Sequence, residues 1–155
     1  TTELVGDVID EALKHVHVKS EKQKITVIQP DDLLLAQMDA RLIVQVLINL
    51  LDNAIKYTPS DSQITITAKI NGSMVCISVA DNGLGIPDEQ KSRVFDMFYT
   101  GANRISDCRR SIGLGLSLCK SIINAHGGEI TIADNIPHGA IFAFTLPVGE
   151  VEIHE

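Results

Sequence analysis

Asn49, Asn53 and Lys56 are spaced four and three residues apart. On a helix turning about 100° per residue they fall within roughly 60° of arc, so one face presents two amides and an ammonium group. An amide oxygen is a hard ligand that suits Mg²⁺, and a lysine can screen a phosphate. A solvated polar stripe on an amphipathic helix accounts for the same spacing equally well. Asp81-Asn82-Gly83-Leu84-Gly85-Ile86 forms a second group. An ionised carboxylate only accepts hydrogen bonds, so Asp81 suits an exocyclic amine such as that of adenine. Gly83 and Gly85 would let the backbone approach a flat ring with no Cβ in the way. Taken alone, the segment reads first as a turn between a strand and a helix. Gly113-Leu114-Gly115-Leu116 forms a third group. Glycines at a helix N-terminus would turn free N–H groups and the positive end of the dipole toward an anion. The pattern GxxxxGK[ST] is absent, and neither glycine pair has the third glycine of GxGxxG, so neither a P-loop nor a Rossmann site is supported.

These groups need elements to position them. Leu4, Val5, Val8, Ile9, Ala12 and Leu13 recur at helical spacing and predict a helix over residues 3–16. Lys24–Gln29 alternates up to Pro30, and with the apolar run Leu33–Met38 it suggests a hairpin. Asp39 can cap a helix that runs to Tyr57, with Leu42, Ile43, Val46, Leu47, Leu50, Leu51 and Ala54 on its apolar side. Gln63–Ile70 and Met74–Ala80 alternate and meet at Asn71-Gly72, a tight-turn dipeptide. Pro87, followed by Asp88 and Glu89, opens a helix toward Phe98. Thr100–Ile112 is polar and aperiodic and reads as a mobile loop. Gly113–Ala125 is helical up to the stop at Gly127-Gly128, and Glu129–Ala133 and Ala140–Leu146 are the last strands. This order predicts a two-layer α/β sandwich of the α+β class.

The 155 residues carry 13 Lys and Arg against 20 Asp and Glu, a formal net charge of −7. That balance argues against a general nucleic-acid or anionic-membrane binder, which needs a basic face, but leaves room for a small phosphate ligand. Beyond Lys120 there is no Lys or Arg. Cys76, Cys108 and Cys119 form no CxxC pair, which fits a reducing, cytosolic compartment and no structural zinc. No uninterrupted apolar run approaches the roughly 18 residues of a membrane helix. The chain begins at Thr1, and a fragment of a longer protein is the expectation.

In order, the asparagine helix, the Asp-x-Gly-x-Gly turn, Phe95-Asp96-Met97-Phe98-Tyr99, the loop and Gly113-Leu114-Gly115-Leu116 resemble one family. It is the ATP-binding catalytic domain of sensor histidine kinases, in the gyrase, Hsp90, histidine kinase and MutL superfamily. Asn49–Thr58 is similar to the family's asparagine box. Asp81–Ile86 and Gly113–Leu116 are similar to its glycine boxes, and Phe95–Tyr99 to its phenylalanine box. His126-Gly127-Gly128-Glu129-Ile130 and Gly139-Ala140-Ile141-Phe142 complete the pattern. Residues 98–128 resemble the potassium-responsive, KdpD-type branch.

The resemblance implies a Bergerat fold, a mixed and mostly antiparallel sheet with helices on one face. It implies a domain over residues 1–149 and a tail over 150–155. It implies that Asn53 coordinates Mg²⁺, with Asn49 supporting the metal or the phosphates. Lys56 would contact the phosphates and Tyr57 would pack on adenine. Asp81 would accept the adenine amine, helped by Thr145 through water, with Gly83, Gly85 and Ile86 lining the base. Thr100–Ile112 would form a lid anchored by Phe95 and Phe98, with Gly113, Leu114, Gly115 and Leu116 behind it. Thr100 stands where many relatives carry an arginine, and Arg104 is the nearest replacement. The superfamily's usual water-activating glutamate is replaced by Asn49, whose amide has no useful basicity, so transfer to a better nucleophile than water is expected. None of His15, His17, His126, His138 and His154 has the context of a phosphoacceptor. The resemblance therefore implies ATP and Mg²⁺ as cofactors and a separate histidine-bearing dimerisation domain and response regulator as partners. The fragment is expected to be monomeric, to bind no nucleic acid, and to be a cytoplasmic part of a membrane-anchored sensor. An anti-sigma-type serine kinase, or a nucleotide-binding interaction module without catalysis, would share the fold.

Overall fold

The computed structural model describes residues 1–18, 20–30, 34–56, 58–83, 85, 107–136 and 138–149, with backbone alone over 107–115. Strand β1 (Thr2–Leu4) leads directly into helix α1 (Val5–Lys14), whose Val5, Val8, Ile9 and Ala12 are buried. The amphipathic helix is thus shorter than its periodicity predicts. Its first residues are drawn into an antiparallel ladder with β3 (Leu35–Gln37), where Thr2 lies opposite Gln37.

Strand β2 (Lys24–Ile28) makes no hairpin with β3, contrary to the sequence expectation. It lies parallel to β4 (Gln63–Asn71) at the edge of a five-stranded sheet ordered β2-β4-β5-β7-β6. A parallel pair needs a long crossover, and α2 (Ala40–Lys56) supplies it. Alternation shows that a segment is a strand; it is silent about which strand becomes its neighbour.

The β4–β5 hairpin is present, with β5 spanning Met74–Asp81. Its turn is shifted by one residue from the expected dipeptide. Asn71 still pairs with Met74, so Gly72, at φ 64°, is the first of the two turn residues and Ser73 the second. Strands β6 (Ile130–Asp134) and β7 (Ala140–Pro147) complete the sheet antiparallel.

Ile64, Ile66, Val75, Ile77, Val79, Phe142, Phe144 and Leu146 point to one face and are buried with the helices in a single core. Their alternating neighbours, such as Thr65, Cys76 and Ser78, lie on the more open face. The architecture is α+β, a mixed, mostly antiparallel sheet with helices on one side, as expected. Among the described residues no helix is long and apolar enough to cross a membrane.

Helix α2 begins where expected. Asp39 Oδ1 accepts from the Arg41 N–H at 3.1 Å and caps it. Helix α3 (Asp107–Ala125) starts six residues before Gly113, so the backbone over 107–112 is helical where a loop was expected. Its C-terminus follows the expected glycine stop. Gly127, at φ 79°, donates to the Asn124 carbonyl and Gly128 to the Ile123 carbonyl, both at 3.0 Å, the pair of bonds of a Schellman cap. His126 sits in this turn and joins two helices. Its Nδ1 donates to the Ile122 carbonyl at 2.7 Å, and its Nε2 accepts from the Asp39 N–H at 3.0 Å. The segment from Pro87 to Phe98 and the tail over 150–155 lie outside the described residues.

Candidate nucleotide site

Asn49, Asn53 and Lys56 occupy one side of α2, while Leu50, Leu51 and Ala54 between them are buried. Burying those apolar side chains contributes about 1.5–3 kcal/mol for each leucine, which fixes the helix's rotation and so aims the polar stripe outward. Asn49 is held on both sides. Its Nδ2 donates to Cys119 Sγ of α3 at 3.7 Å, and its Oδ1 accepts from Gln45 Nε2 at 3.4 Å. Burial pushes the Cys119 thiol up to about 11, so it stays S–H and serves as a packing and hydrogen-bonding group. Burial likewise raises Asp52, a neighbour of the stripe, against the opposing pull of Lys56 and His17.

Asp81 ends β5 at 8% exposure. Its Oδ1 accepts from the Gly83 N–H at 3.0 Å and from the Ala140 N–H at 3.2 Å. Those bonds fix the carboxylate's orientation, and among the described residues Oδ2 has no bonded partner. Burial raises the Asp81 pKa, and the two backbone N–H bonds oppose that rise.

The helix stripe and the Asp81 turn meet through Thr58. A Cβ on Gly83 would lie 2.8 Å from Thr58 Cγ2, so only glycine fits at this contact. A Cβ on Gly85, at φ +80°, would lie 2.9 Å from the Gly139 carbonyl oxygen. Both glycines singled out from the sequence are therefore required, though their tight approaches are to protein atoms. Thr58 is fixed in turn: its Oγ1 donates to the Ala54 carbonyl at 2.6 Å. Gln23, 2% exposed, donates from Nε2 toward the Ile55 carbonyl, Thr58 Oγ1 and Ser62 Oγ at 3.0–3.2 Å. This network satisfies carbonyls at the end of α2 that the helix itself cannot. Nothing in the spacing of Gln23, Thr58 and Ser62 marked them.

Two expectations change. Thr145 does not stand near Asp81. The register places Thr145 opposite Cys76, and Ala140 is the β7 residue that bonds the carboxylate. Thr145 Oγ1 instead accepts from the Glu129 N–H at 3.0 Å and helps close the α3–β6 turn. Gly113, Leu114 and Gly115 lie inside α3 rather than at its start, so their N–H groups fall within the helix's own bonding ladder. Leu116 is buried in the core. Tyr57, Ile86, Phe95, Phe98 and Arg104 lie outside the described residues.

The signature of the histidine kinase-, DNA gyrase B-, and HSP90-like ATPase family matches residues 38–150, and the chain belongs to that family. The sensor protein KdpD of Clostridium acetobutylicum is 43% identical over 145 residues, covering 94% of this chain and 16% of the relative. The adaptive-response sensory kinase SasA of Synechocystis sp. is 40% identical, covering 93% of this chain and 38% of the relative. The solved catalytic domain of the histidine kinase ThkA superposes with a TM-score of 0.81 at 32% identity, covering 95% of this chain and 96% of that one. The fold is that of the histidine-kinase ATP-binding domain. The chain spans well under half the length of these curated relatives.

Proposed function

We propose that this chain is the catalytic ATP-binding domain of a two-component sensor histidine kinase. It binds Mg-ATP and passes the γ-phosphoryl group to a histidine on a separate dimerisation domain, for relay to a response regulator. The observation that carries this reading is the Asp81 carboxylate. Two backbone N–H groups hold its Oδ1, and its Oδ2, without a partner among the described residues, would take an exocyclic amine, in a turn packed against the end of the Asn49–Lys56 helix. In this reading Asp81 orients the base, and Gly83 and Gly85 give the turn its close approaches. Asn53 faces the phosphates and Lys56 offsets their charge.

Mg²⁺ fits this donor set. Among the described residues there is no group of three or more His, Cys, Asp or Glu able to hold a metal. A single amide oxygen on Asn53 suits a cation that keeps most of its contacts with phosphate and water. Asn49 Oδ1 already accepts from Gln45, which makes Asn49 the supporting residue of the pair. Bound there, Mg²⁺ would neutralise charge on the transferring phosphoryl group. Asn49 offers no basic group for water activation, which favours an imidazole nitrogen as acceptor.

The partners follow the same pattern. One solved form of ThkA is a complex with the response regulator TrrA, and a response regulator is the corresponding partner here. Tyr57, Phe98, Arg104 and Ile86 complete the proposed binding set, and residues 1–149 the proposed domain.

Titration with a non-hydrolysable ATP analogue, with and without Mg²⁺, tests the reading. Saturable binding that tightens with Mg²⁺ is expected; no binding at millimolar nucleotide sinks it. Adding a histidine-bearing helical hairpin in trans should yield acid-labile phosphate. Acid-stable phosphate would point instead to a serine kinase.

A further inference from the structure

The turn that carries Asp81 is gripped from outside by the loop between β6 and β7. Asn135 Nδ2 donates to the Asp81 carbonyl at 2.7 Å, and His138 Nδ1 donates to the Gly83 carbonyl at 2.8 Å. A carbonyl only accepts, so the second bond selects the imidazole tautomer with hydrogen on Nδ1. The last rung of the β5–β7 ladder is Ala80 opposite Ile141. Asp81's carbonyl lies just past it, and the Asn135 side chain supplies a donor there.

The loop is itself braced. The Asn135 N–H donates to the Gly139 carbonyl at 3.0 Å, and Asn135 Oδ1 accepts from the Ile136 N–H at 2.9 Å. Gly139, at φ +119°, brings the two backbones so close that a Cβ there would collide with the Asp81 carbonyl oxygen. The loop thus touches Asp81, Gly83 and Gly85. Hydrogen bonds to the carbonyl of Asp81 itself and to that of Gly83, two residues on, set the peptide planes that aim the Asp81 side chain.

We propose that Asn135 and His138 are positioning residues for nucleotide binding. They hold the Asp81 and Gly83 carbonyls so that Asp81 Oδ2 meets the base amine. This rests on the reading of Asp81 as the adenine acceptor. Neither residue needs to touch nucleotide.

The test compares the 155-residue chain with its Asn135→Asp, His138→Ala and His138→Asn variants. Dissociation constants for Mg-ATP and Mg-ADP are measured alongside thermal melts without nucleotide. Asn135→Asp keeps the shape and the acceptor and loses the donor. Asn135→Asp and His138→Ala should each weaken binding about three- to tenfold, the equivalent of one hydrogen bond. The factor should be the same for ATP and ADP, because the base end is common to both. His138→Asn, which returns an N–H donor near the Nδ1 position, should restore most of the affinity. A merely structural role would lower the melting temperature in step with affinity and would not separate the Ala and Asn variants. Wild-type affinity in both donor-less variants, a loss confined to ATP, or no recovery in His138→Asn overturns the proposal. If Asn135→Asp fails to fold, the His138 pair alone decides it. If the parent chain binds no nucleotide, the reading of Asp81 fails first and takes this proposal with it.

Discussion

In the proposed reading, Asp81 concentrates the site's chemistry into one side chain, with Oδ1 held by Gly83 and Ala140 and Oδ2 taking the base amine. In Asp81→Asn the amide oxygen can still accept from Gly83 and Ala140, so folding should survive. The amide nitrogen then presents a donor to the base amine, and nucleotide affinity should fall about tenfold to a hundredfold by calorimetry. The raised Asp81 pKa sets two opposite pH trends. Burial disfavours the charged form, so this group's contribution to stability is fully present below its unfolded-state pKa and is lost as pH rises through the higher folded-state value. In the proposed reading nucleotide binding needs the carboxylate, so it runs the other way. Affinity measured from about pH 7 down to about pH 4 should begin to fall above the ordinary carboxylate range, and Asp81→Asn should remove that component. Asn53→Ala should abolish the gain in affinity on adding Mg²⁺ while leaving metal-free binding nearly unchanged. A variant that kept the full Mg²⁺ dependence would remove Asn53 from the metal's contacts. The residue types and local spacing of Asp81 and Asn53 were legible in the sequence. The bonds that orient Asp81 were not, because one of its two donors, Ala140, lies on a different strand.

At the scale of elements, α2 is the part that joins core to site, and its C-terminal end depends on Gln23. Gln23→Leu removes a buried donor from the Ile55 carbonyl, Thr58 and Ser62. It should cost about 1–3 kcal/mol in urea unfolding, with a smaller loss of nucleotide affinity through the Thr58–Gly83 contact. An unchanged unfolding midpoint would show that water replaces Gln23 there. Helix α2 was readable because its cap at Asp39 and its apolar period act within a few residues. The start of α3 was misplaced for the opposite reason. Polar residues without apolar periodicity lowered the local helix preference over 107–112, yet the backbone there is helical. Thr145 was misplaced because period-2 alternation reveals which residues share a face and is silent about register.

Over the whole molecule, the net charge of −7 is compatible with an anionic ligand. Lys56 stands on the α2 stripe, while no Lys or Arg follows Lys120; of the last two strands β6 adds the one charge of Asp134 and β7 adds none. In the proposed reading the chain is half of an active site. Incubated with ATP alone it should form no acid-labile phosphate, and it should do so once a histidine-bearing hairpin is supplied. Phosphate appearing without the hairpin would require an acceptor within these 155 residues. What the sequence determined by itself was local chemistry: a helical face with two asparagines and a lysine, an aspartate before a glycine turn, the N-cap of α2 and the glycine stop of α3. Side-chain periodicity and backbone preference act over a few residues, so short motifs carry them. Tertiary structure alone decided that β2 lies parallel to β4, that Ala140 rather than Thr145 meets Asp81, and that Gln23, Asn135 and His138 bond the carbonyls of Ile55, Asp81 and Gly83. Those outcomes depend on which distant segments bury the most apolar surface together, a choice the whole chain makes at once.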